Sequence, residues 1–218
     1  MTSRLLPLLK EEKIIAIIRG VSQDSIQPIA EALWSGGIKF LEITMNTEGA
    51  LSAISQLRET YENRLYIGAG TVLNLEMAKE AIQAGAQYII SPNLNEQVVT
   101  YCVEQGIDVW PGTMTPSEMY RAYELGASAV KVFPIGSLGV NYIKEVKAPL
   151  HFIEMIATGG VNTENIVPIL NNGAIAVGLG GNLVDKQLVQ QKNYDELTKR
   201  AGMFVELAKG VGGYAAKQ

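Results

Sequence analysis

A chain of 218 residues, 47% of them apolar and 18% charged, can bury a full hydrophobic core. Its formal net charge of −4, with 18 basic residues scattered along the chain, supplies no field for a nucleic-acid backbone, so any anion site has to be local. The lone cysteine, Cys102, excludes an intramolecular disulfide and a thiolate metal cluster, and the lone histidine, His151, excludes a His-rich metal site.

The run Leu5 to Leu9 is broken by Pro7 and followed at once by charges from Lys10 onward. It is too short for a secretory leader, so a short N-terminal helix is expected there, and no apolar run approaches membrane-spanning length. The expectation is a cytoplasmic protein with no membrane partner.

From Ile14 onward, short apolar runs rich in β-branched residues alternate with longer amphipathic stretches. The pattern predicts a strand over 14–18, a helix over 25–34, and strands over 39–43 and 65–69. A helix over 75–84, a strand over 87–90, a helix over 96–104 and a strand over 107–110 follow. The second half predicts strands over 128–132 and 152–157, a helix over 163–171, a strand over 175–178 and a last helix over 194–209. Glycines 37, 85, 106, 126 and 173 stand just before strands, where a left-handed residue past a helix end turns the chain back toward the sheet.

Leu197, Ala201, Phe204, Val205 and Ala208 form one apolar face on the last helix. Cys102 is expected to be a buried, inert thiol, and His151, just after Pro149, an ordinary surface residue.

Continuous apolar strands separated by helices imply a parallel sheet covered on both sides, and eight such units close into a (β/α)8 barrel. One such domain is expected over 1–218. An open doubly wound sheet is disfavoured, because the first strand ends Ile18-Arg19-Gly20 with no Gly-x-Gly-x-x-Gly turn.

In such a barrel the chemistry sits at the C-terminal strand ends. Those ends carry Arg19, Glu42, Gly70-Thr71, Ser91-Pro92, Pro111-Gly112-Thr113, Lys131, Thr158-Gly159-Gly160 and Gly178 to Gly181. Lys131 lies inside Ala129-Val130-Lys131-Val132-Phe133, and strand alternation puts it on the face opposite the two valines. Pointing into the barrel it would be desolvated, lose basicity, and be able to attack a ketone as a neutral amine. A lysine snorkelling to the surface is the bland alternative.

Glu42 holds the matching place in Phe40-Leu41-Glu42-Ile43-Thr44, so one inward lysine and one inward carboxyl form the minimum set for imine chemistry. A structural ion pair between them is the competing account. Arg19 offers a forked cation for a carboxylate or phosphate, and Thr71 a hydroxyl. Glycine-rich loops after the seventh and eighth strands, with Asn162 as a candidate N-cap, are where this architecture binds phosphate.

Taken in order, Ile18-Arg19-Gly20, Leu41-Glu42-Ile43-Thr44, Gly68-Ala69-Gly70-Thr71-Val72, Ile90-Ser91-Pro92, Pro111-Gly112, Lys131-Val132-Phe133-Pro134 and Thr158-Gly159-Gly160-Val161 resemble a known family over nearly the whole chain. It is the family of 2-keto-3-deoxy-6-phosphogluconate (KDPG) and 4-hydroxy-2-oxoglutarate (KHG) aldolases, trimeric (β/α)8 class I pyruvate aldolases.

The resemblance implies Lys131 as the Schiff-base lysine and Glu42 as general acid/base. It further implies that Arg19, Thr71, Pro92 and Phe133 line the pocket, while Thr158, Gly159, Gly160, Gly180 and Gly181 hold the far end of the substrate. No metal or organic cofactor is implied. The expected partners are a small 2-keto-3-deoxy acid, its product pyruvate, and two further copies of the chain in a homotrimer.

Two positions depart from the pattern. Asn46 stands where phosphogluconate-type members carry arginine, which resembles the branch acting on the galactonate isomer. Asn182 stands where a serine often follows the second glycine pair. A phosphosugar isomerase or epimerase, or a non-catalytic phosphosugar-binding protein, remains open on the residues alone.

Overall fold

In the computed structural model, which describes residues 4–211, the apolar runs form nine parallel strands. They are β1 (Ile14–Ile18), β2 (Phe40–Thr44), β3 (Tyr66–Gly70), β4 (Tyr88–Ile90), β5 (Asp108–Trp110), β6 (Gly112–Thr113), β7 (Val130–Val132), β8 (Met155–Thr158) and β9 (Ala176–Leu179). They run in the order β5-β4-β3-β2-β1-β9-β8-β7-β6.

The two ends of that list are halves of one segment. Pro111 has no N–H to donate and interrupts the ladder, so β5 pairs with β4 on one side and β6 with β7 on the other. The sheet thereby closes into a barrel with eight strand positions, as the alternation predicts.

Alternation within each strand sorts the side chains into two cores. Ile14, Ala16, Ile18, Leu41, Ile43, Val130, Val132 and Ala157 face outward and pack among the helices. Ile15, Phe40, Tyr88, Ile90, Trp110, Ala129, Ile156 and Ala176 fill the barrel interior. The aromatic members stack there, with Tyr88 and Trp110 ring centroids 4.7 Å apart.

The helices are α1 (Leu6–Glu12), α2 (Gln23–Ser35), α3 (Ala50–Tyr61), α4 (Leu75–Gln83), α5 (Glu96–Glu104), α6 (Pro116–Glu124), α7 (Ile135–Leu138), α8 (Asn141–Lys147), α9 (Ile166–Asn171), α10 (Lys186–Gln190) and α11 (Tyr194–Lys209). Their starts follow from local chemistry. Asn74 and Asn95 accept backbone N–H groups at the starts of α4 and α5, and Thr115 with Glu118 forms a capping box on α6. All five turn glycines have positive φ, between 68° and 106°.

The expected short N-terminal helix is α1, and it closes the N-terminal end of the barrel. Leu5 and Leu9 pack into the interior core, and the Leu5 N–H donates to Asp108 at 3.0 Å. Cys102 is buried and its thiol is pushed up to about 12 by desolvation, while His151 is exposed. No helix among the described residues is long and apolar enough to cross a membrane.

Three local expectations need correction. Strand β8 starts at Met155, because Phe152 lies in an exposed turn against Tyr123. Ser128 precedes β7, its hydroxyl bridging Asp108 and Trp110. Asn162 does not cap α9: that place belongs to Asn165, and Asn162 Oδ1 instead accepts the N–H groups of Glu164 and Asn165 in a turn one step earlier.

Candidate active site

Because Val130 and Val132 are committed to the outer core, Lys131 has only the interior left to it. It projects there at 3% exposure, with Nζ 5.2 Å from the centroid of the Phe133 ring. Its amine is held below the usual 10.5, first because burial penalises the ammonium form and also because Arg19 is a nearby cation, with Glu42 opposing the shift.

Glu42, 1% exposed, lies over bare backbone: a Cβ on Gly70 would come within 1.8 Å of its Oε1, so only glycine leaves room for the carboxyl. That Oε1 accepts no hydrogen bond from the protein, and no ion pair within 4.0 Å joins Glu42 to Lys131. Burying a carboxylate oxygen without a donor is costly, and a structural ion pair would not leave it so. Neither bland alternative fits: the lysine does not snorkel out, and the pair does not bridge.

Lys131 and Phe133 open onto a cavity of about 300 Å³ at the C-terminal strand ends, which Arg19, Thr158, Gly159, Gly160, Gly180 and Gly181 also line. Gly159 and Gly160 hold φ of 88° and 82°, so this double left-handed step after β8 needs two glycines.

Thr71, Pro92 and Glu42 are not part of the cavity wall. Thr71 joins it through Arg19, whose Nη2 donates to the threonine hydroxyl at 3.3 Å. To reach that position Thr71 adopts φ 57°, a strained conformation for a β-branched residue. Pro92 abuts β6: a Cβ on Gly112 would lie 2.2 Å from its carbonyl carbon.

The arrangement matches a known sequence pattern. A family model described as KDPG and KHG aldolase matches residues 6–200. The chain belongs to this aldolase family. It is therefore a carbon–carbon lyase. A 2-dehydro-3-deoxy-phosphogluconate aldolase from Haemophilus influenzae is 34% identical over 209 residues, spanning 95% of this chain and 98% of that one. A 2-dehydro-3-deoxy-6-phosphogalactonate aldolase from Escherichia coli K12 is 36% identical over 171 residues, 78% of this chain and 83% of that one. Among solved structures, a KDPG aldolase from Legionella pneumophila with pyruvate captured as a covalent carbinolamine superposes with a TM-score of 0.84 at 26% identity, covering 96% of this chain and 98% of that one.

For an aldolase the geometry is apt. A buried amine of lowered basicity faces a cavity, a carboxyl whose Oε1 has no protein partner lies within its electrostatic reach, and the Arg19 cation acts on the same amine. Sequence reasoning did not single out two further groups. Tyr88 shares the interior with Glu42, and its hydroxyl, without a protein partner, is held well above its usual value by burial and by the Glu42 charge. Lys186 also lines the cavity. A lysine at the first position of a helix opposes the helix dipole, and that was the one available signal.

Proposed function

We propose that this aldolase cleaves 2-dehydro-3-deoxy-6-phosphogluconate to pyruvate and glyceraldehyde 3-phosphate, and 4-hydroxy-2-oxoglutarate to pyruvate and glyoxylate, through a Schiff base on Lys131. The observation that carries the reading is the buried, unbridged lysine opening on the cavity, with the Glu42 carboxyl free to exchange protons.

Neutral Lys131 Nζ adds to the C2 ketone, and the carbinolamine loses water to give an iminium. Glu42, acting through a water, supplies the proton for that loss and then removes one from the C4 hydroxyl. As the C4 oxygen becomes a carbonyl, the C3–C4 bond breaks and its electron pair moves into the iminium, leaving an enamine. Protonation at C3 and hydrolysis release pyruvate. Arg19, braced by Thr71, pairs with the C1 carboxylate beside C2, and Phe133 and Pro92 shape the wall. Thr158 and the Gly159-Gly160 and Gly180-Gly181 loops hold the distal end.

Asn46 favours a second reading, the galactonate isomer, for which the Escherichia coli relative is named. It lies exposed just past β2. Pyruvate release from the gluconate, galactonate and hydroxyoxoglutarate substrates, measured side by side, decides among them. Borohydride with pyruvate is expected to add a stable mass to wild type and none to Lys131→Met. Labelling that survives in Lys131→Met would defeat the assignment.

We extend the reading to a cytoplasmic homotrimer, on the family resemblance and on an exposed aromatic row formed by Tyr120, Tyr123 and Phe152.

A further inference from the structure

The cavity wall just after β9 has no free side-chain donor where the resemblance leads one to expect a serine. Asn182 stands there, and its amide is already committed, Nδ2 donating to the Val161 carbonyl at 2.7 Å. The two glycines before it tell a different story from Gly159 and Gly160. Gly180 and Gly181 have no left-handed φ, and a Cβ added to either would meet nothing within 4 Å. Backbone conformation and packing therefore do not require glycine at these two positions. Both border the open volume of the cavity.

Beside that volume stands Lys186. It lines the cavity and reaches toward the end of β1, with Nζ 3.5 Å from where a Cβ on Gly20 would lie. Its neighbour Asp185 is not its partner. One Asp185 oxygen accepts the N–H groups of Gln187 and Leu188, and the other pairs with Arg200 at 3.2 Å. Among the described residues Lys186 takes part in no ion pair or side-chain hydrogen bond.

Arg19 is close enough to Lys131 to lower its basicity. In a 2-keto acid the carboxylate is bonded to the very carbon that Lys131 attacks, so Arg19 is placed for that end. An anion at the opposite end of the carbon chain needs a different cation. We infer that Lys186 supplies it, so that Lys186 together with the open Gly180-Gly181 turn selects substrates carrying a terminal phosphate over their unphosphorylated counterparts. The inference rests on the proposed Schiff-base reading and adds to it a specificity-determining residue.

The test is steady-state kinetics of the full chain, Lys186→Met and Lys186→Arg, on 2-dehydro-3-deoxy-6-phosphogluconate and on the same sugar acid without phosphate. Lys186→Met is expected to raise KM for the phosphorylated substrate roughly ten- to hundred-fold, the range of one charge-assisted hydrogen bond. Its kcat, and its KM for the unphosphorylated acid, should stay at the wild-type values, and arginine should restore most of the loss. Inhibition by inorganic phosphate should weaken by a similar factor. A wild-type preference for the phosphorylated substrate that persists in Lys186→Met overturns the assignment of Lys186 alone. A wild type with no such preference overturns it together with the phosphorylated-substrate reading.

Discussion

Burial and two charged neighbours act on the Lys131 amine, and they do not act in the same direction. Burial favours the neutral form and is the largest influence; the Glu42 charge favours the ammonium; the Arg19 charge favours the amine. In the proposed mechanism the attacking species is the amine, so the rate of pyruvate trapping by borohydride should climb with pH and level off at a pH below 10.5. Removing Arg19, as Arg19→Met, should move that limb to higher pH, and Glu42→Gln should move it lower. A limb that stays put in both variants means that neither group sets the reactivity of Lys131. Lys131 and Glu42 were legible in the sequence because each is an ionisable residue between apolar neighbours in a strand, where alternation leaves one direction to point. Lys186 was not, because a lysine opening a short helix is only a weak signal, and it comes to the cavity only once β9 lies beside β1. The strain at Thr71 was hidden too, since nothing in Gly70-Thr71-Val72 announces a left-handed threonine.

Secondary-structure elements were legible wherever local chemistry fixes them. The five turn glycines, the strand cores and the whole of α11 follow from patterning, whereas the break at Pro111 and the late start of β8 depend on which strand lies alongside. The seat of α1 is of this second kind. Its anchor, Asp108, lies 103 residues from Leu5 in the chain and accepts the Leu5 N–H at 3.0 Å and the Ser128 hydroxyl at 2.9 Å. Ser128 in turn accepts the Trp110 indole N–H at 3.1 Å. Asp108→Ala strips the acceptor from one buried and one part-buried donor and should cost about 1–3 kcal/mol in urea unfolding. The loss of hydrogen-exchange protection should concentrate in α1, since β5 keeps its ladder with β4. Uniform loss across the barrel strands would mean that α1 is integral to the barrel and not a plug fastened onto it.

Across the whole molecule the closed barrel separates two ends: α1 and the aromatic interior seal one, and the cavity lined by Lys131 and Arg19 opens at the other. A third feature lies on the flank. Tyr120, Tyr123 and Phe152 are 46%, 46% and 42% exposed and run as a connected row, with ring centroids 6.4 Å and then 4.9 Å apart. Single exposed apolar residues are ordinary, but a contiguous aromatic row is the composition of an interface core. Both ends of the row come from segments that serve neither the cavity nor the interior core, α6 and the turn before β8. A second copy of the chain is the occupant that the family resemblance supports. Sedimentation equilibrium should then give three times the chain mass of 23.6 kDa for wild type. Tyr123→Glu with Phe152→Glu places two charges in the row, one at its centre and one at its end, and should give the single-chain mass, with an unchanged circular dichroism spectrum because neither side chain belongs to the buried core. A wild type that sediments as one chain would remove the trimer, and a double variant that still sediments as three would move the interface to another face.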